Sequence, residues 1–167
     1  DQSAQLAAHL GTGFSFAHFI APEQAAAVAQ LYRERFEPSE HQQAPRLILG
    51  VFVLCADTEE EAAELALCRD AWRARMQRGD AGPWPTVEEA RRILAEPIAS
   101  DARREHQILG TPSQVRAQLE ALAEETGVDE FSVITITPEF EQRVRSYELL
   151  AGAFELAPPI DHAARSA

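Results

Sequence analysis

The sequence predicts an α/β protein, a parallel sheet covered by helices. Stretches with helical spacing of apolar residues alternate with short β-branched runs, the order that builds strand-helix-strand crossovers. One run, Leu47 to Cys55, is almost continuous in Leu, Ile, Val and Phe, as a parallel strand is when both of its faces are covered. From Ile108 to Ile136, a helix with both ends specified runs directly into a β-branched strand.

Taken in order, Ser3 to Leu10 reads as a short helix ended by Gly11, and Phe14 to Phe19 as a strand running into Ala21-Pro22. Pro22 opens a second helix, because its missing N–H costs nothing in a first turn. Ala26, Ala29, Leu31, Tyr32 and Phe36 give that helix an apolar face before Pro38-Ser39 stops it. A polar loop, Glu40 to Pro45, leads into the Leu47 to Cys55 strand. Thr58-Glu59-Glu60-Glu61 is a capping box with acids at the positive end of the helix dipole, and Asp57 is expected to share in the capping. Ala62, Leu65, Ala66, Trp72 and Met76 form the expected buried stripe of this helix. After a turn-rich break from Gly79 to Pro85, Thr86-Val87-Glu88-Glu89 starts a shorter helix by the same device. Ala99 to Gln107 reads as a charged loop or helix tail.

In the next helix Thr111 caps, Pro112 takes the first position and Gln114 closes the box. Val115, Leu119, Leu122 and Ala123 make one apolar stripe, and Gly127 supplies the left-handed residue that ends it. Phe131 to Ile136 follows as a strand. Thr137-Pro138 caps a last helix with Phe140, Val144, Tyr147, Ala151 and Phe154 on one face. The expected organisation is one domain over residues 1–156 and a flexible tail over 157–167. Only three strands are visible, and open strand edges invite association, so a homo-oligomer is expected.

Composition narrows the function. The 167 residues are 46% apolar and 25% charged, an ordinary globular balance with enough chain for a real core. No apolar run approaches the roughly 18 residues of a membrane span. Net charge is -12, from 27 acidic and 15 basic residues, and every basic one is Arg. Such a chain lacks the positive footprint of a nucleic-acid binder, and without Lys it has neither Schiff-base chemistry nor a P-loop lysine. Cys55 and Cys68 do not have the spacing of a zinc site or redox pair, so a reduced, cytoplasmic setting is expected. The chain opens Asp1-Gln2-Ser3-Ala4 without signal-peptide character, and Met76 is its only methionine, so a processed or truncated start is expected.

Several motifs in fixed order carry a further implication: Ser3-Ala4-Gln5-Leu6-Ala7-Ala8, Phe16-Ala17-His18-Phe19, Leu31-Tyr32-Arg33-Glu34, and Ala56-Asp57-Thr58-Glu59-Glu60-Glu61-Ala62. Gly110-Thr111-Pro112, Thr126-Gly127-Val128-Asp129-Glu130 and Ser146-Tyr147-Glu148-Leu149-Leu150 complete the set. Together they resemble the C-terminal half of the luciferase-like flavin-dependent monooxygenases, the family of bacterial luciferase. The resemblance implies the C-terminal part of a (β/α)8 TIM-type barrel, with parallel strands six to eight and their helices. Whole barrels of that type need about 250 residues, so the N-terminal half of the barrel is the implied missing partner.

It also implies reduced FMN as cofactor, ahead of the deazaflavin F420, and no metal. The flavin is expected at the carboxyl mouth of the strands, where it reacts with dioxygen to oxygenate a small organic substrate. The histidine and cysteine nearest that chemistry in better-known relatives lie in the N-terminal half, so no catalytic residue is assigned here. Cofactor-binding roles are implied for two residues. Ser3 opens the first helix, where a hydroxyl and free N–H groups suit a phosphate, or simply a cap. His18 stands at a strand end, either beside the flavin or as a hydrogen-bonded core histidine.

Other residues near strand ends have plainer readings. Cys55 reads as a small core residue, and Thr135 and Thr137 as mouth-facing or strand-terminating groups. Glu59-Glu60-Glu61 and Glu124-Glu125 lack the ligand alternation of a calcium loop and read as solvated faces. Trp72 and Trp84 bracket an insertion that, in a barrel, lies over the mouth, although Trp72 reads first as packing. The implied function is an oxidoreductase acting on paired donors with incorporation or reduction of molecular oxygen, this chain forming its C-terminal portion. The alternative is a non-catalytic half-barrel that self-associates or holds flavin without chemistry.

Overall fold

The sheet is built around β2, Leu47–Cys55, which occupies the span of the apolar run. The computed structural model describes residues 2–80, 82–95, 107–128 and 130–156. β1, Phe14–Ala17, runs parallel beside Leu47 to Gly50, and β4, Glu130–Ile134, runs parallel beside Ile48 to Phe52. Ile48 to Gly50 are therefore paired on both sides, which puts β1 and β4 on opposite edges of β2. A fourth strand, β3, Ile108–Gly110, pairs with Val53 to Cys55. Sequence reading sees three strands because a segment this short carries no period.

Alternation along β2 separates two faces. Leu47, Leu49, Val51, Val53 and Cys55 are buried, whereas Ile48, Phe52 and Leu54 are half-buried. The buried side meets α1, Gln2–His9; α2, Ala25–Glu34; α5, Pro112–Thr126; and α6, Phe140–Ala153. Ala4, Ala8, Val28, Ala29, Tyr32, Val115, Leu119 and Leu150 close that core against the strand. The strand is thus covered fully on one face, not on both as its composition suggests, and the sheet is open.

Helix ends follow the local chemistry with some corrections. Gln114 Oε1 accepts from the Thr111 N–H at 2.9 Å, and Gly127, at φ 66°, ends α5. Arg33 donates to the Thr126 carbonyl at 2.7 Å, tying α2 to the end of α5. Pro22 starts a 3-10 turn, Pro22–Gln24, ahead of α2, which buries Ala25, Val28, Ala29 and Tyr32. The expected face of α6 holds only in part: Phe154 packs on the core, but Phe140 is 63% exposed, Val144 and Tyr147 are also exposed, and Ser146 and Leu150 are buried. The cap is Glu139, not Thr137-Pro138.

Two joints hold the amino ends of the strands. Tyr32 is fully buried; its hydroxyl donates to the Thr12 carbonyl at 2.7 Å and accepts from the Arg46 N–H at 3.2 Å. Beside it Gly11 turns the chain at φ 59°, and Ser39 Oγ donates to the Gly11 carbonyl at 2.8 Å.

Between β2 and β3 the chain makes α3, Glu59–Gln77, and α4, Val87–Leu94. They share a small core of Cys68, Ala71 and Ala90, packed with Leu67, Trp84 and Val87. Met76, expected in the stripe of α3, is 46% exposed, and Ala71 and Ala74 are buried in its stead. Most of the 99–107 stretch and all of 157–167 lie outside the described residues.

Candidate functional site

All four strands are parallel, so Ala17, Cys55, Gly110 and Ile134 finish at one end of the sheet. In parallel α/β sheets this is the end where ligands bind. His18 follows β1 and is 8% exposed, its N–H donating to the Phe16 carbonyl at 3.0 Å. Phe19 then lies over the inner face of the sheet. A Cβ placed on Gly50 would stand 3.2 Å from Phe19 Cε1, so the bare backbone of Gly50 is what admits this ring. Phe19 in turn meets Phe52 at 4.8 Å between centroids.

The other strand ends are structural. Thr135 Oγ1 donates to the Val53 carbonyl at 2.8 Å, and the Thr135 N–H donates to Tyr147 Oη at 3.2 Å. The Cys55 N–H donates to buried Ser146 Oγ at 2.9 Å, which fastens α6 to β2. Thr137 Oγ1 donates to the Glu139 carbonyl at 2.7 Å. Asp57 does not share in capping α3. Its carboxylate takes a two-pronged contact from Arg145, at 3.0 and 2.6 Å, while Thr58 Oγ1 alone accepts from the Glu61 N–H at 3.1 Å. The hydrogen bond from Arg145 holds the Asp57 carboxyl below the usual carboxylate range.

Neither cysteine is a nucleophile at neutral pH. Burial, reinforced by Asp57, pushes the Cys55 thiol up from 9.0 to about 11, and burial pushes Cys68 up to about 11 as well. The folded chain holds these protons more tightly than the unfolded chain. The associated stability is therefore present below about pH 9 and is lost as the pH rises toward about 11. Both thiols are expected to resist iodoacetamide at mildly alkaline pH in the native state and to react at once in denaturant. Rapid native labelling of either would contradict this assignment.

Ser3 is exposed in the first turn of α1, and Gly11, at φ 59°, turns the chain from α1 toward β1. Glu59 sits at the start of α3 and accepts from Gln114 Nε2 at 3.1 Å. Among the described residues no three His, Cys, Asp or Glu side chains converge as a metal site would require.

What sequence reading did not assemble is a cleft at the mouth. α3 places Arg69 over Phe52, its Cζ 4.2 Å from the ring centroid, and Trp72 stacks on Trp84 at 5.5 Å. With Phe19, Ile20, Arg73 and Ile136 these side chains line a cavity of about 480 Å³. That volume suits a small organic molecule. A separate small cavity of about 30 Å³, room for about one water, lies nearby between Leu65, Gln107 and Ile108. Burial, and then Arg73, pull the Arg69 guanidinium down to about 10, which leaves it charged at neutral pH. Trp84 Nε1 is buried without a hydrogen-bond partner among the described residues, a cost of about 1–3 kcal/mol for such a group. The site can shelter a flat apolar group and face it with positive charge.

Comparison with known proteins follows this geometry. The sequence model of a family described as "Luciferase-like monooxygenase" matches residues 1–130. An uncharacterized protein of Bacillus subtilis (strain 168), YceB, is 39% identical over 92% of this chain and 47% of its own length. The crystal structure of apo-MsnO8 superposes with a TM-score of 0.88 at 35% identity, covering 94% of this chain and 49% of that one. At 17% identity and a TM-score of 0.53, the fold is also that of the oxygenating constituent of 3,6-diketocamphane monooxygenase from Pseudomonas putida, solved in complex with FMN. That match covers 89% of this chain and 42% of the other. The chain spans about half the length of the curated relatives it matches.

Proposed function

The chain belongs to the luciferase-like monooxygenase family, and we propose that it forms the C-terminal portion of a flavin-dependent monooxygenase barrel, its strands β1, β2 and β4 standing as the sixth, seventh and eighth. The observation that carries this reading is the inner face of β2, left half-buried beside a mouth built for ligand. In a closed barrel that face meets other strands, which the N-terminal half supplies. On this reading residues 1–156 act as one unit and residues 157–167 as its tail.

The residues present fit a flavin. Ile134, at the carboxyl end of β4, and the half-buried inner face of β2 offer an apolar surface to a flat ring system. Bound there, reduced FMN supplies the electrons for activating dioxygen. Ser3 contributes its hydroxyl and the free N–H groups of the first turn of α1 to the phosphate. His18, buried past β1, holds the edge of the ring and keeps water from it. The small organic substrate enters from the side of α3.

The test uses the full-length protein that contains this sequence. It is expected to consume oxygen in a reaction dependent on reduced FMN. His18→Ala is expected to weaken FMN and riboflavin binding about tenfold alike, and Ser3→Ala to weaken FMN while sparing riboflavin. Absence of both flavin binding and flavin-dependent oxygen uptake would defeat the proposal, and selective binding of deazaflavin F420 would replace FMN as the cofactor.

A second reading, a self-associating half-barrel that holds flavin without chemistry, is favoured by exposed Phe140, Val144 and Tyr147 together with the half-buried inner face. Size-exclusion chromatography of the chain alone separates the two, because a sharply unfolding monomer contradicts self-association.

A further inference from the structure

We propose that the cleft beneath α3 receives a flat organic anion of the aromatic carboxylate class. Calling that anion the substrate rests on the monooxygenase reading above.

Charge makes the first argument. The chain has 27 acidic residues against 15 basic ones, yet among the described residues the cavity is lined by Arg69 and Arg73 and by no carboxylate. A neutral occupant leaves the half-buried Arg69 guanidinium beside apolar walls, with exposed Arg73 at the rim, whereas a carboxylate pairs with Arg69 in the two-pronged geometry a guanidinium favours. Asp70, next to Arg69 in sequence, attracts the guanidinium electrostatically but directs Oδ1 to Gln107 Nε2 at 3.0 Å. Arg69 makes no salt bridge among the described residues; its Cζ stands over the Phe52 ring, which holds the cation at the cavity wall.

Shape makes the second. Trp72 and Trp84 are stacked, with 30° between their planes, and with Phe19 and Phe52 they give the cavity aromatic walls on two sides. Such walls select a planar ring over a bulky aliphatic group.

The two tryptophans are the only ones in the chain, so intrinsic fluorescence reports on this cleft. Titrating the chain with para-nitrobenzoate in the absence of flavin is expected to quench that fluorescence saturably. Para-nitrobenzamide, of the same outline but uncharged, is expected to bind about tenfold more weakly. Arg69→Met keeps a long apolar stem and is expected to erase the preference; Arg69→Lys is expected to keep most of it. Arg73→Gln, at an exposed position, is expected to reduce the preference and gives the same answer if Arg69→Met does not fold. Equal binding of acid and amide would overturn the proposal, as would a preference that survives these charge-removing changes. FMN and riboflavin form the remaining arm. If FMN binds better than riboflavin only while Arg69 is present, the cations serve the flavin phosphate and the carboxylate assignment falls. Since neither flavin nor oxygen turnover enters the first titration, its result stands apart from that of the oxygen-uptake experiment.

Discussion

Tyr32→Ala is expected to cost about 3–5 kcal/mol of folding stability, the usual range for deleting a buried aromatic. The ring is fully buried between Phe14 and Phe36, at 5.6 and 5.8 Å between centroids, and nothing nearby can collapse into its place without moving a strand. Its hydroxyl also joins the approach to β1 with the approach to β2, through Thr12 and Arg46. Tyr32→Phe therefore isolates one part of the effect: it keeps the packing and strands two backbone groups, for a loss of about 1–3 kcal/mol. Urea unfolding separates the two, and the Ala variant should melt about 6–20 °C lower. A change below about 1 kcal/mol for Tyr32→Ala would show that this joint does not set stability.

Gly11→Ala is the second large effect. At φ 59° an L side chain is disfavoured by about 1–2 kcal/mol, before any contact is considered. The added Cβ would stand 2.6 Å from Ser39 Cβ and 2.9 Å from Ser39 N, and closer still to the Glu37 carbonyl. Two of those atoms belong to backbone, so the 37–39 loop must move, for about 1–3 kcal/mol more. Thermal unfolding measures the total. Both substitutions act at the amino ends of the strands, away from the mouth, so ligand binding per folded molecule should be unchanged. Loss of binding in a fully folded Gly11→Ala chain would contradict that separation.

Much of the scaffold was legible because its signals are local. The unbroken apolar run located Leu47–Cys55, and Thr111, Pro112, Gln114 and Gly127 located α5 from end to end. Elements held by distant partners were not legible. β3 exists because Val53 to Cys55 offer it an edge, and α6 turns Ser146 inward because the Cys55 N–H needs its hydroxyl. A serine reads as solvent-facing, so hydropathy centred the buried stripe of α6 too far round the helix, on Phe140, Val144 and Tyr147. The mouth shows the same division. That His18 stands just past a strand was legible from the sequence, whereas Arg69 looks like an ordinary surface arginine until folding brings it over Phe52. Trp72 and Trp84 were noted as flanking an insertion, but their stacking depends on the way α3 and α4 fold back on each other.

Cys55 and Gly110 are register partners, so the chain leaves the sheet after Cys55 and rejoins it at Ile108, two positions back along the same pair of strands. Between these two neighbouring points lie α3 and α4, which share a small core of their own. An insertion with adjoining ends places few demands on its host, which is why such segments are tolerated and exchanged. The α3–α4 unit is in this sense a cassette. Lineages, or an engineer, can lengthen, trim or replace it to change which molecules reach the mouth, while the strands beneath it keep their register.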